Sequence, residues 1–349
     1  MTRRIQILSA VLAVQIGLAV CLAFVGRSNG AFRSGEKLIG LDLASLDEIV
    51  IQDEGDPALV IQRKDGSWIL PDHFGFPVSR TKLDRVTGTL FGIRKSWPVG
   101  TTGVAAKRFK VTDDDFERKI TFRKGQEDAA TLLIGTSPGF KKVHARLAGK
   151  EPIYAIDFSA YEASVKPQDW EDKDLLDVDP DGIVRVEMDG IHLIRNGDAL
   201  TVGDLGEGQE TDPGEVSKLL SKLSKPTFLD VLGTEDKPEY RQGSPALTYT
   251  LEMKSGEAVD YTYSQIEGTD DFVLKTSSRP EYFKASKYAV EGLQEFTRDK
   301  LVRAKQEPER AEHPSDDQAA AASQAGGVTA GGAGPKPASS TSPPRPGDS

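Results

Sequence analysis

The sequence predicts an α+β protein: an N-terminal transmembrane helix, two tandem repeats of antiparallel strands each covered by one amphipathic helix, and a disordered tail. Three observations predict it. An uncharged, largely apolar run extends from Ile5 to Val25. Apolar alternation at period two then recurs twice in the same order, each time around a segment of helical period. The residues from Ala304 onward are mostly Ala, Gly, Pro and Ser and carry no apolar period. The expected boundaries are 1–30 for the anchor, 46–177 and 178–303 for the repeats, and 304–349 for the tail.

The anchor follows from length. A helix over residues 5–25, rising roughly 1.5 Å per residue, covers about 31 Å, the thickness of a bilayer core. Only Gln6, Ser9 and Gln15 interrupt its apolarity. A cleaved secretory signal has a shorter apolar stretch and a small-x-small site, and no such site follows Val25. An uncleaved signal anchor is therefore expected, contacting the lipid bilayer through residues 5–25. Cys21 follows LAV in the manner of a lipoprotein signal, but Val20 and the apolar run beyond it make the residue part of the membrane helix. Arg3 and Arg4 on one side and Arg27, Arg33 and Lys37 on the other nearly balance the positive-inside count. The expected orientation is single-pass with the amino terminus cytoplasmic and the body exported.

The first repeat opens with DEIVIQ (47–52) and the second with DGIVRVEM (181–188), both alternating as half-buried strands do. A second pair of strands follows in each, ALVIQRKDGSWIL ending at Leu70 and IHLIRNGDALTV ending at Val202. Asp65-Gly66 and Asn196-Gly197 are the turn dipeptides of these hairpins. Trp68 is expected on the inner face of its hairpin. Leu83, Val86, Leu90 and Ile93 then recur at helical spacing, as do Val216, Leu219, Leu220 and Leu223. The second helix has a full start signal: Asp212 as N-cap, Pro213 at the first helical position and Glu215 closing a capping box. Further strands complete each half: KITFRKG, ATLLIG, VHARL and PIYAIDF in the first, LTYTLEMKSG, AVDYTYSQI and DFVLKT in the second. The halves end alike, with DWEDKDLL (169–176) against EFTRDKLV (295–302). The tail cannot bury enough surface to offset its ordering entropy.

Composition excludes several function classes. The chain has 349 residues with a formal net charge of −10, which argues against a nucleic-acid partner. One Cys and four His leave no disulfide scaffold and no Cys/His zinc pattern. GTSPG around Ser137 has the letters of a nucleophile elbow, but Pro138 and Gly139 read as a turn between strands where an elbow needs a helix. In DVDPDG, Asp177, Asp179 and Asp181 stand at the alternate positions of a calcium loop. The twelfth position of that loop is Met188, however, and the following residues alternate like a strand. These three are the weak metal candidates; the bland reading is an acidic turn joining the repeats. Asp113 to Asp115 read as a solvated turn. His73, His144, His192 and His313 carry no metal-ligand spacing. No phosphate loop or dinucleotide fingerprint appears, so no cofactor, small-molecule substrate or catalytic residue is assigned.

The succession LVIQRKDGSWIL, the amphipathic helix after it, FKVTDDDFERKITFRKG, TLLIGTSPGFKKVHARL, PIYAIDF and DWEDKDLLDVDPDGIVRVEM resembles the DUF4340 family. The likeness covers roughly Leu46 to Leu232, with a looser extension to Val302. It implies a bacterial inner-membrane protein with a periplasmic body, the accessory subunit of an ABC-type exporter of the gliding-motility kind, with a protein partner in that complex. It carries over no functional residue. The function expected is therefore a non-catalytic scaffold. The alternative is an envelope-facing protein that binds a glycan or makes a calcium-dependent contact.

Overall fold

Two eight-stranded antiparallel sheets succeed one another along the chain; seven strands of each are laid down in the same order, and the eighth joins opposite edges of the two sheets. The computed structural model describes residues 12–17 and 35–305. Residues 12–17 form a helical stretch, α1, with exposed side chains. The rest of the expected membrane segment, Cys21 included, lies outside the described residues, as does the tail beyond Lys305. Among the described residues no helix is long and apolar enough to cross a membrane.

The first sheet runs β4 (Phe76–Pro77), β3 (Ser67–Leu70), β2 (Leu59–Lys64), β1 (Glu48–Gln52), β5 (Arg118–Lys124), β6 (Glu127–Ile134), β7 (Lys142–Leu147) and β8 (Ile153–Asp157). The second runs β11 (Ala199–Val202), β10 (Ile191–Asn196), β9 (Ile183–Met188), β14 (Leu247–Met253), β15 (Ala258–Gln265), β16 (Phe272–Thr276), β17 (Tyr282–Ala285) and β13 (Asp230–Gly233). Strand β1 lies between β2 and β5, and β9 lies between β10 and β14, so the duplication is one of topology. The edge strand β13 also has a counterpart, because Val99 and Gly100 bond to Ile153 on the outer side of β8.

Helix α2 (Arg80–Gly92) buries Leu83, Val86, Leu90 and Phe91 in the first core, between the sheet residues Ile49, Ile51 and Phe122. Helix α4 (Pro213–Leu223) buries Val216, Leu219 and Leu223 in the second. Asp212 caps it by accepting from the backbone N–H groups of Gly214 and Glu215. The capping box is not closed: Glu215 turns to Lys218, and the Asp212 N–H donates to the Leu301 carbonyl. A short helix α3 (Gly103–Arg108) adds Ala106 to a small third core with Val111, Leu133 and Ile153.

The turns follow residue chemistry with one shift. Asp65 and Gly66, at φ 51° and 84°, make the two-residue turn that strand twist favours. In the second hairpin Asn196 pairs with Ala199, so the turn is Gly197-Asp198 rather than Asn196-Gly197. Asp189-Gly190, at φ 38° and 78°, turns β9 into β10. Strand β1 is less one-sided than its sequence suggests, since Ile49, Val50 and Ile51 are all buried. The packed body starts before Leu46: Leu38 and Ile39 belong to the first core, and the Leu38 N–H bonds to the carbonyl that follows α2, that of Ile93. Its last strand, β18 (Val302–Ala304), pairs with β12 (Gln209–Thr211), which takes in Ala304 as well. Both sheets fall within one compact unit ending at Ala304.

Candidate functional site

The sequence elements that join the two sheets converge on one buried carboxylate. After β3, the turn 71–75 carries Phe74 and Gly75 in the left-handed region, at φ 58° and 64°. This turn sends Phe76 out of its own module. Its ring is fully buried in the second core, edge-on to Phe228 and Phe283 at centroid distances of 6.0 Å each. Phe74 lies against Gly233, where a Cβ would come within 3.1 Å of the ring; that glycine, at φ 110°, makes room for the approach.

The same turn carries His73. Its Nε2 lies 2.8 Å from Glu171 Oε1 and 3.5 Å from Asp230 Oδ1. Glu171 follows a 3-10 turn at Pro167–Asp169, and its strand-like bridge to Val78 fixes its direction. The neighbouring Trp170 is buried, with its indole N–H donating to the Ser164 carbonyl, and anchors the segment. Asp230 is the first residue of β13. Lys173 donates to Glu171 Oε2 at 2.5 Å and to the Leu229 carbonyl at 2.8 Å, with its Nζ 4.3 Å from the Phe228 ring centroid. The Val231 N–H donates to Glu171 Oε1 and, at 2.8 Å, to Asp230 Oδ1. Gln168 donates to Asp230 Oδ2.

The Glu171 side chain has no solvent exposure. Burial alone would push its carboxyl up, but hydrogen bonds from His73 and Lys173 outweigh burial and hold it below its ordinary value. Asp230 goes the other way. Burial raises it, and its contact with the ionised Glu171 raises it further. The two carboxyl groups are thus driven apart in proton affinity. Both Glu171 oxygens are occupied by donors from three segments, so the seam fastens the two modules. His73 also forms part of the wall of a hollow of about 350 Å³ whose apolar lining includes Leu59, Leu70, Val165 and Pro167. A larger hollow of about 710 Å³ lies between α2 and the β2–β3 hairpin, away from this seam, and its Arg63 and Arg80 are paired with Asp47 and Asp84.

Among the described residues, His73, Glu171 and Asp230 are the only group of three with potential ligand atoms all within 4.8 Å of one another. The sequence candidates sit elsewhere. Asp179 accepts from the Asp181 N–H to cap a 3-10 turn, Asp181 is exposed, and Asp177 lies 3.9 Å from Lys225. Met188, in the twelfth position of the would-be calcium loop, packs in the second core. Ser137 Oγ lies 2.7 Å from the Gly139 and Lys142 carbonyls in a turn between strands. Trp68 is 5% exposed, so its indole faces the first core and does not offer a stacking surface. His144 is buried against Phe109, at a centroid distance of 4.0 Å, and His192 is exposed on β10. His313 lies outside the described residues. Sequence reasoning missed the seam because its members are separated by about a hundred and sixty positions. No local signal marks it: the two acids flanking Trp170 look alike in sequence, and only the fold exposes Asp169 and buries Glu171.

The fold and the seam define a duplicated α+β protein whose two sheet modules meet at a polar seam, crossed by the Val231 N–H on Glu171, His73 beside Asp230 and Lys173 on the Leu229 carbonyl. The family described as a domain of unknown function, DUF4340, matches residues 68–245, and the chain belongs to that family. The matched segment begins in β3 and ends short of β14, so it spans the seam and contains His73, Glu171 and Asp230. No curated protein and no solved structure is significantly similar to the chain.

Proposed function

We propose that the protein is a membrane-anchored, non-catalytic scaffold of the bacterial envelope, held in the inner membrane by residues 5–25 with its body in the periplasm, and an accessory subunit of an ABC-type transporter. The observation that carries the reading is the saturated Glu171 seam. His73 and Lys173 hold the Glu171 carboxylate within the first module and themselves reach Asp230 and the Leu229 carbonyl of the second, while the Val231 N–H donates back to Glu171, which keeps the two modules in fixed relation. A protein that presents partner surfaces at a set spacing needs such a joint, and a hydrolytic site would need a carboxylate free to exchange protons with substrate. The length and apolarity of residues 5–25 support the anchor.

Photo-crosslinking of the full chain in its own bacterial membrane, followed by mass spectrometry, tests the proposal. The expected product joins the body to a membrane subunit or ATPase of an ABC-type transporter. A folded chain that fractionates away from the membrane, or that crosslinks in the membrane to no transporter component, overturns it.

A further inference from the structure

We propose that His73 Nε2, Glu171 Oε1 and Asp230 Oδ1 form a binding site for one first-row divalent cation of the Zn²⁺ or Mn²⁺ type, which ties the first module to the second. The donor set is mixed. One imidazole nitrogen and two carboxylate oxygens suit borderline cations, whereas a calcium site would be all oxygen. The spacing suits the small bond lengths of such ions. Ligand atoms about 2.0–2.2 Å from a shared cation lie roughly 3.3–3.5 Å from one another. The His73 to Asp230 separation is already 3.5 Å, and the His73 to Glu171 separation of 2.8 Å needs to open by only about half an ångström.

The outer contacts are arranged as they are around metal-binding carboxylates. Each acid turns one oxygen toward the imidazole and has its other oxygen held by a separate donor, Lys173 on Glu171 Oε2 and Gln168 on Asp230 Oδ2. Such donors orient ligands and exclude alternative rotamers. The Val231 N–H also reaches the two inward oxygens; on Glu171 Oε1 the cation takes the place of the His73 Nε2 proton, which is released on binding, so each inward oxygen keeps a lone pair for it. Access exists, because the His73 side chain is 13% exposed and the Asp230 side chain 28%, and His73 lines the 350 Å³ hollow. Three ligands from three segments, two of them partly exposed, leave the remaining coordination positions to water. The proposal is independent of the scaffold reading, since a cation at this joint strengthens the fold whatever partner docks on it.

The test uses the untagged full chain, stripped with chelator and titrated with Zn²⁺, with Mn²⁺ and Ca²⁺ run separately. One Zn²⁺ per chain is expected, with a melting temperature higher by about 5 °C or more at a hundredfold excess over Kd. His73→Gln and Asp230→Asn should weaken binding at least tenfold. Because a variant of the joint can misfold, the wild-type chain supplies a second readout: in ¹⁵N-imidazole spectra the resonances of His73 should move on adding Zn²⁺ while those of His144 stay. Absence of stoichiometric binding overturns the proposal. So does Zn²⁺ binding that leaves the His73 resonances in place or is unchanged in both folded variants, and so does a response to Ca²⁺ as strong as that to Zn²⁺.

Discussion

Replacing Phe76 with Ala should damage the module to which Phe76 does not belong in sequence. Its ring is fully buried among Phe228, Phe283 and the rest of the second core, although the residue sits in β4 of the first sheet. Removing the ring forfeits about 2–3 kcal/mol of transfer free energy. The two edge-on aromatic contacts and the cavity left between Phe228 and Phe283 bring the cost to about 4–5 kcal/mol, the upper part of the usual Phe→Ala range. For a body of this size that is a fall in melting temperature of roughly 8–20 °C. The assay that separates this argument from plain destabilisation is hydrogen–deuterium exchange under native conditions. Amides in residues 228–233 and 282–285 should lose protection before those in 83–92. Phe91→Ala, which opens the first core beside Phe122, should give the reverse order. Loss of protection confined to residues 59–92 in the Phe76 variant, or a fall of less than about 3 °C, would refute the claim that Phe76 is part of the second core.

Glu171→Gln keeps the shape of the side chain but removes the charge that Lys173 and His73 face. The expected cost is about 2–3 kcal/mol by chemical denaturation, below that of a fully enclosed pair because Lys173 is 39% exposed and can turn to water; a cost under 0.5 kcal/mol would show the seam to be ornamental. Gly135→Ala places a Cβ 2.0 Å from the Phe109 carbonyl oxygen and 2.3 Å from that of Lys110, so the backbone must move. A loss of about 3 kcal/mol or more is expected in thermal melting, and a variant as stable as wild type would contradict the close approach. Burial pushes the Asp53 carboxyl up, but the N–H groups of Asp56 and Gly55 and the Arg118 guanidinium outweigh burial and hold it below its ordinary value. Its folded value lies under its unfolded one, so its stabilisation is complete above pH of about 4 and fades as pH falls through the folded value. Asp53→Asn should therefore be less stable than wild type at neutral pH, with a gap that closes in acid; a gap that widens as pH falls would reverse the assigned sign.

The repeat was legible in the sequence because each of its elements is announced locally. Alternation marks β9, the Leu83–Val86–Leu90 stripe marks α2, and Asp212-Pro213 starts α4 at the residue expected. Local signals failed where a neighbour distant in sequence decides the outcome. Val50 is buried although its position in DEIVIQ marks an outward face, since both faces of the first sheet carry core residues. Asn196 could turn a hairpin, but pairing with Ala199 moves the turn to Gly197-Asp198. The seam was illegible for the same reason. His73 and Asp230 have no spacing relation, and only the left-handed turn through Phe74 and Gly75 brings them together.

The duplication itself isolates what the seam adds. In the first module the N–H of the helix cap, Ser79, donates to the carbonyl of Trp170 at 2.8 Å; in the second, that of Asp212 donates to Leu301 at the same distance. Trp170 and Leu301 are thus equivalent and both buried, which shifts the expected match of DWEDKDLL to EFTRDKLV by several residues. From that register, Val78 bridging Glu171 corresponds to Thr211 bridging Val302, and Phe76 corresponds to Gln209. The two residues that fasten the first module to the second, Phe76 and Glu171, therefore stand where the second module has an exposed Gln209 and a half-buried Val302. Common fold requirements would place similar residues at equivalent positions, as they do for Trp170 and Leu301. The divergence falls on the two positions that meet another module in one copy and none in the other. The ring of Phe76 and the charge of Glu171 thus belong to the joint rather than to the repeat, and a first module excised alone would expose the Phe76 ring and leave Glu171 with His73 and Lys173 but without the Val231 N–H.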